Sequence, residues 1–196
     1  VNERWRALAV AGHAGDAALA RSALTDPDPD ARRLAIGALD RLGELTDDEL
    51  AAARADPSAD VRRRAVELTA RRPSTSLIAS LDDPDPGVVE VAAWACGEHE
   101  HVDDATLGRL IELATAGDAA LVREACVAAL GAIGDARALG AVLAGCADVP
   151  AVRRRAVLAL APFEGDEVDA AIERALDDRD WQVRQAAEDL RRAADP

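Results

Sequence analysis

Lysine, methionine and tyrosine are absent from this 196-residue chain, and phenylalanine occurs once. With three tryptophans, aromatic residues make up only 2% of the sequence. A single globular core of this length normally fills its centre with bulky rings, so the composition argues against one thick core. Apolar residues nevertheless reach 49%, mostly alanine, leucine and valine. Small side chains let helices approach closely in thin layers, which suits a stack.

Other scarcities exclude classes of function. The 23 basic residues, all arginine, face 37 acidic ones, for a net charge of -14 and a pI of about 4.6. That balance repels nucleic acid and anionic membranes. The arginine bias reads as GC-rich coding rather than phosphate recognition. No apolar run approaches the ~20 residues of a membrane span, and no signal peptide is expected. Cys96, Cys126 and Cys146 are irregularly spaced, so no disulfide framework is expected and a reducing compartment is. The expected address is the cytoplasm. Val1 stands where methionine is usual, which points to a trimmed start or an alternative start codon.

What the chain does have is a repeat. Segments beginning Asp26-Pro-Asp-Pro, Asp56-Pro-Ser-Ala, Asp83-Pro-Asp-Pro, Asp118-Ala-Ala-Leu, Asp148-Val-Pro-Ala and Asp178-Arg-Asp-Trp each lead into an Arg- and Ala-rich run. The anchor residue is Ala31, Val61, Val88, Val122, Val152 and Val183, at spacings of 30, 27, 34, 30 and 31. A seventh, degenerate copy surrounds Arg4-Trp-Arg-Ala-Leu.

Each copy reads as a turn followed by a helix. Proline cannot continue the preceding helix and restricts the residue before it, while Asp at the next helix start accepts its free N–H groups. From the anchor, apolar or small residues recur at +4, +5, +7 and +8, which is helical spacing. Position +4 is Ala35, Ala65, Ala92, Cys126, Ala156 and Ala187, always small, so a neighbouring helix is expected to press there. Shorter first helices are predicted at Asp16–Ala23, Asp47–Ala55, Ser74–Leu81, Asp104–Ala114, Ala136–Leu143 and Asp166–Leu176. Breaks such as Gly131-Ala-Ile-Gly134 and Gly165-Asp separate several pairs. One amphipathic pair cannot bury both apolar faces; stacked pairs share a ribbon core. Arg191, at a position elsewhere held by Leu, Thr or Cys, fits the polar face of a terminal cap.

The Asp-Pro-x-Pro-x-Val-Arg-x-x-Ala pattern, repeating at about 30 residues, resembles HEAT-like repeats of the phycobilin-lyase type over essentially the whole chain. Arg72-Pro-Ser-Thr-Ser is also similar to leucine-rich-repeat variants, but the other repeats are longer. The HEAT resemblance implies an all-α fold, a right-handed α-solenoid of about six two-helix repeats. It implies a single domain over 1–196, with second helices starting near 3, 31, 61, 88, 122, 152 and 183. In such stacks the second helices line the concave side, and the arginine at +1 pairs with the turn Asp of an adjacent repeat. Here that designates Arg32, Arg62, Arg123, Arg153 and Arg184; the third repeat departs, with Val89.

Few residues suggest chemistry. The triplets Arg62-Arg63-Arg64 and Arg153-Arg154-Arg155 look like phosphate binders, but consecutive helical residues point about 100° apart. Structural duty is expected instead, with Arg33, Arg63 and Arg154 pointing away from the core. Acidic residues concentrate on the first helices, leaving the second-helix face mixed and near neutral. Cys96, His99 and His101 are candidate metal ligands, set against Cys96 at a buried position and the histidines in a polar loop. His99-Glu100 is similar to the His-Glu motifs of deoxyhypusine hydroxylase, a HEAT-like di-iron enzyme, but that family needs several such pairs. No nucleophile–base constellation or phosphate loop occurs.

Trp94 is the leading site residue. It sits at +6, opposite the buried stripe, where other copies carry Gly37, Glu67, Ala128, Leu158 and Asp189. A tryptophan exposed there among charges has the composition of an interface hot spot; the alternative is that it fills a gap against the adjacent repeat. Trp181 replaces a turn proline and is expected to pack between repeats, and Trp5 to cover the N-terminal edge.

The expected function is a non-catalytic scaffold or adaptor binding a protein or peptide along the concave second-helix face. Candidate contacts are Trp94, Arg63, Glu67, Glu90, Glu124, Arg154 and Leu158. No cofactor and no membrane partner are expected, and the protein is expected to be a monomer unless its N-terminal edge pairs. One alternative is an alkylpurine DNA glycosylase, whose family also uses HEAT-like repeats; the arginine triplets and Trp94 favour it and the acidic charge opposes it. The other is a bilin-lyase-like chaperone cradling a tetrapyrrole.

Overall fold

A computed structural model describes residues 3–194, and among these the regular structure is entirely helical. The chain divides into two compact units, Val1–Arg72 and Pro73–Pro196. In the first unit, α1 (Glu3–Ala14), α3 (Pro29–Leu42) and α5 (Ala59–Thr69) are second helices, packed α1 on α3 and α3 on α5. The shorter α2 (Ala17–Ser22) and α4 (Asp47–Arg54) are first helices, against α3 and α5. In the second unit, α6 (Ile78–Leu81) pairs with α7 (Pro86–Gly97) and α8 (Asp104–Ala116) with α9 (Ala120–Ile133). There α10 (Leu139–Gly145) pairs with α11 (Pro150–Ala159), and α12 (Asp166–Leu176) with α13 (Trp181–Ala194). The second helices stack in the order α7, α9, α11, α13. This is the α-solenoid class of fold.

The turns work as their residues dictate. Asp28 accepts from the Asp30 N–H at 3.0 Å and Asp85 from Gly87 at 2.9 Å, with a proline opening each helix. Thr46 and Glu49 form a reciprocal capping box on α4. Gly43 and Gly134, at φ of 72° and 68°, close α3 and α9 in the left-handed region. All six residues at position +4 are fully buried, at 0% exposure. Arg191 at +8 is exposed, whereas Leu130 and Leu160 at the same position are buried.

Small residues also set the distance between second helices. A Cβ placed on Gly131 of α9 would lie 2.6 Å from the Ala159 Cβ and 2.7 Å from its Cα on α11. Gly97 of α7 meets the Ala129 Cα of α9 in the same way, at 3.2 Å. Position +9 of one second helix therefore rests on position +7 of the next. Gly131 is thus a packing residue inside a helix, and the break lies at Gly134.

Three local expectations need correction. The helix predicted at Ser74–Leu81 is a single turn, Ile78–Leu81, because Pro73 and three consecutive Ser and Thr residues favour turns over helix. The one predicted at Ala136–Leu143 starts as a 3-10 turn, Ala136–Ala138, before α10. Trp181 does not pack between repeats: it is 65% exposed on the first residue of α13, where side chains tilt toward the helix N-terminus and off the stack.

Candidate functional site

The stack is locked at its turns by arginine. In the first unit, Arg32 donates Nε and Nη2 to the two carboxylate oxygens of Asp56 at 2.7 and 2.8 Å. In the second, Arg123 does the same to Asp148 at 2.6 and 2.8 Å, and Arg153 to Asp178 at 2.8 and 2.7 Å. Each of the three also donates Nη1 back to a carbonyl of its own turn. Arg62 and Arg184 grip their own turns likewise, through the carbonyls of Asp56 and Asp178. The hydrogen bonds from arginine hold Asp56, Asp148 and Asp178 below the usual carboxylate range.

The first arginine triplet and Arg153 are engaged by acids and carbonyls of the protein itself. Arg63 donates to Asp60 at 2.9 Å and Arg64 to Glu67 at 2.7 Å. Arg154 and Arg155 both approach Glu124, at 3.9 and 3.8 Å. The first triplet presents no convergent, unengaged guanidinium groups, and Arg154 and Arg155 converge beside a carboxylate, which opposes a phosphate.

What remains is the face of the second helices turned away from the first helices. In the second unit, position +6 carries Trp94 on α7, Ala128 on α9 and Leu158 on α11. Trp94 is 45% exposed and Leu158 41%. One turn earlier on the same three helices stand Glu90, Glu124 and Arg154, all half-buried. Leu121 of α9, 46% exposed, lies seven residues before Ala128 and so shares its face. A pattern counted forward from the anchor misses Leu121, which precedes it; the i, i+7 spacing to Ala128 is the signal that finds it. Trp94, Ala128 and Leu158 form a row across three stacked helices, with Glu90, Glu124 and Arg154 one turn away and Leu121 two turns from Ala128; exposed apolar groups with charges beside them are the composition of a binding surface. In the first unit, Arg63 and Glu67 are exposed on α5, and the Arg64 side chain lies over Gly37 of α3.

The model for HEAT repeats matches residues 46–131 and 74–161, together more than half of the chain. The chain belongs to the HEAT-repeat family. Among solved structures, this HEAT-repeat chain is similar to a designed armadillo repeat protein in complex with the peptide (KR)4. The two are 19% identical, with a TM-score of 0.64 over 89% of this chain and 97% of the other. It also aligns with human deoxyhypusine hydroxylase in complex with glycerol, at 18% identity and a TM-score of 0.49 over 96% of this chain and 78% of the other. Among curated proteins, none matches. Among its described residues no helix is long and apolar enough to cross a membrane.

The HEAT stack also brings the candidate metal ligands to one cavity. Cys96, His99 and His101 line one cavity of about 210 Å3 in the second unit, with Asp103, Thr106 and the segment Pro73–Leu77. Among the described residues, no three His, Cys, Asp or Glu side chains are placed to hold a metal ion, so these three do not form a centre. Asp103 caps α8 through the Thr106 N–H at 2.7 Å, and burial pushes the Cys96 thiol up to about 12. His99 lies in the loop after α7, as expected, but is buried there, at 6% exposure.

Proposed function

We propose that this HEAT-repeat protein is a non-catalytic scaffold that takes a peptide or protein partner on the free face of its second helices. The observation that carries the reading is Trp94, 45% exposed in the same row as Ala128 and the 41% exposed Leu158 on three stacked helices. A tryptophan held open in water on a rigid helix buries much apolar area on binding at little conformational cost. Glu90, Glu124 and Arg154 beside it set register and orientation; Arg63 and Glu67 are the corresponding contacts on the first unit. The designed armadillo protein of similar fold holds a peptide, (KR)4, and the net charge of -14 here favours a basic one. Three free cysteines, two of them buried, suit a reducing, cytoplasmic setting.

The test is selection of binding peptides from a displayed random library against the intact chain, followed by affinity measurements on Trp94→Ala and Leu158→Ala. The reading expects the selected peptides to lose about tenfold or more in affinity on Trp94→Ala. Peptides indifferent to both substitutions would remove its support.

A further inference from the structure

We infer that the gap left by Val89 in the arginine ladder is a socket for an arginine side chain presented by a basic partner protein or peptide. The inference uses residues apart from the second-helix face and does not depend on it.

The three rungs described above define what holds a guanidinium in this protein. A turn carboxylate accepts Nε and Nη2 at 2.6–2.8 Å, and a turn carbonyl accepts Nη1 at 2.7–2.8 Å, as seen for Arg32, Arg123 and Arg153. In the third repeat the residue at the arginine position is Val89, which carries no donor. A cavity of about 210 Å3 lies there, lined by Val89, Leu113 and Val122 and by the acids Asp82, Asp83 and Asp118. Asp118 occupies the turn position that Asp148 and Asp178 hold in the following rungs. It is exposed, and among the described residues its carboxylate takes no hydrogen bond or ion pair. Arg109 reaches the same cavity but is committed to Asp82 at 2.8 Å and Glu112 at 3.0 Å.

The site therefore keeps one part of an occupied rung, a carboxylate at the turn position, here exposed to solvent and reachable from outside, with aliphatic walls to cover a side-chain stem. The fork of a guanidinium matches a carboxylate in two bonds, whereas an ammonium brings a point charge. The acidic balance of the whole chain draws cationic partners toward it.

The experiment is an NMR titration of the 15N-labelled full chain with the capped peptide Gly-Ser-Arg-Ser-Gly and with its lysine counterpart. Saturable shifts at the amides of Val89, Gly117 and Asp118 are expected, with the arginine peptide bound several-fold more tightly. Asp118→Asn is expected to weaken binding about tenfold. Val89→Arg, which supplies the guanidinium from within, is expected to abolish binding and raise the melting temperature. Equal binding of the two peptides, no saturable shift at these amides, or unchanged binding to Asp118→Asn would overturn the inference. If Val89→Arg does not fold, the peptide comparison and Asp118→Asn decide it.

Discussion

Arg153 and Asp178, 25 residues apart in sequence, meet through two parallel hydrogen bonds of 2.8 and 2.7 Å. The arginine side chain is only 9% exposed and the aspartate 15%, so the pair joins two repeats away from solvent screening. Removing either partner strands the other. Arg153→Ala and Asp178→Asn are each expected to cost about 2–3 kcal/mol. Arg153→Lys should recover only part of this, since it loses the fork. Urea melts of the three variants check the order.

The ladder also sets the acid limit of the protein. Unfolded aspartates titrate near 3.9, and in the folded chain arginine holds Asp56, Asp148 and Asp178 lower. Their stabilisation is therefore complete above about pH 4 and is lost as pH falls through the lowered native values. The stability gap between the wild type and Asp148→Asn should be constant from neutral pH down to about 5, then shrink below about 4. Chemical denaturation across that range measures it.

Two glycines within helices separate packing from propensity. Gly131→Ala drives a methyl into the backbone of Ala159 and should destabilise by about 1–3 kcal/mol. Gly108→Ala, inside α8 with nothing within 4 Å of the new methyl, should stabilise by about 0.5–1 kcal/mol. Opposite shifts in melting temperature are the expected result.

Thiol reactivity follows burial. Cys96 and Cys126 are fully buried with thiols pushed up to about 12, and Cys146, half-buried, to about 11. Mass spectrometry after alkylation of the native protein near neutral pH should find Cys96 and Cys126 unmodified and Cys146 slow. All three should react in denaturant.

Much of this structure is written locally. The anchor and +4 positions, spaced by a helical period, name the buried seam; Ala35, Ala65, Ala92, Cys126, Ala156 and Ala187 are all fully covered. The turn aspartates announce helix starts, and Val89 marks the one repeat without a +1 arginine. Packing between repeats is less legible. Gly131 looks like a helix break until Ala159 of the next second helix is seen against it. Trp181 looks like filler by size alone, but its place at a helix tip leaves it in solvent. His99 reads as solvent-facing because the segment Pro73–Leu77, which lines a cavity with it, lies more than twenty positions earlier. Period reveals which face is inside; it does not reveal what a neighbouring repeat brings to that face.

The most direct test of the binding account compares two exposed tryptophans. Trp94 lies on the second-helix line, and Trp181 lies off it at the tip of α13. For a peptide selected against the intact chain, the account predicts at least a tenfold rise in Kd for Trp94→Ala and no change for Trp181→Ala. Equal effects of the two substitutions, or none from Trp94→Ala, would contradict it.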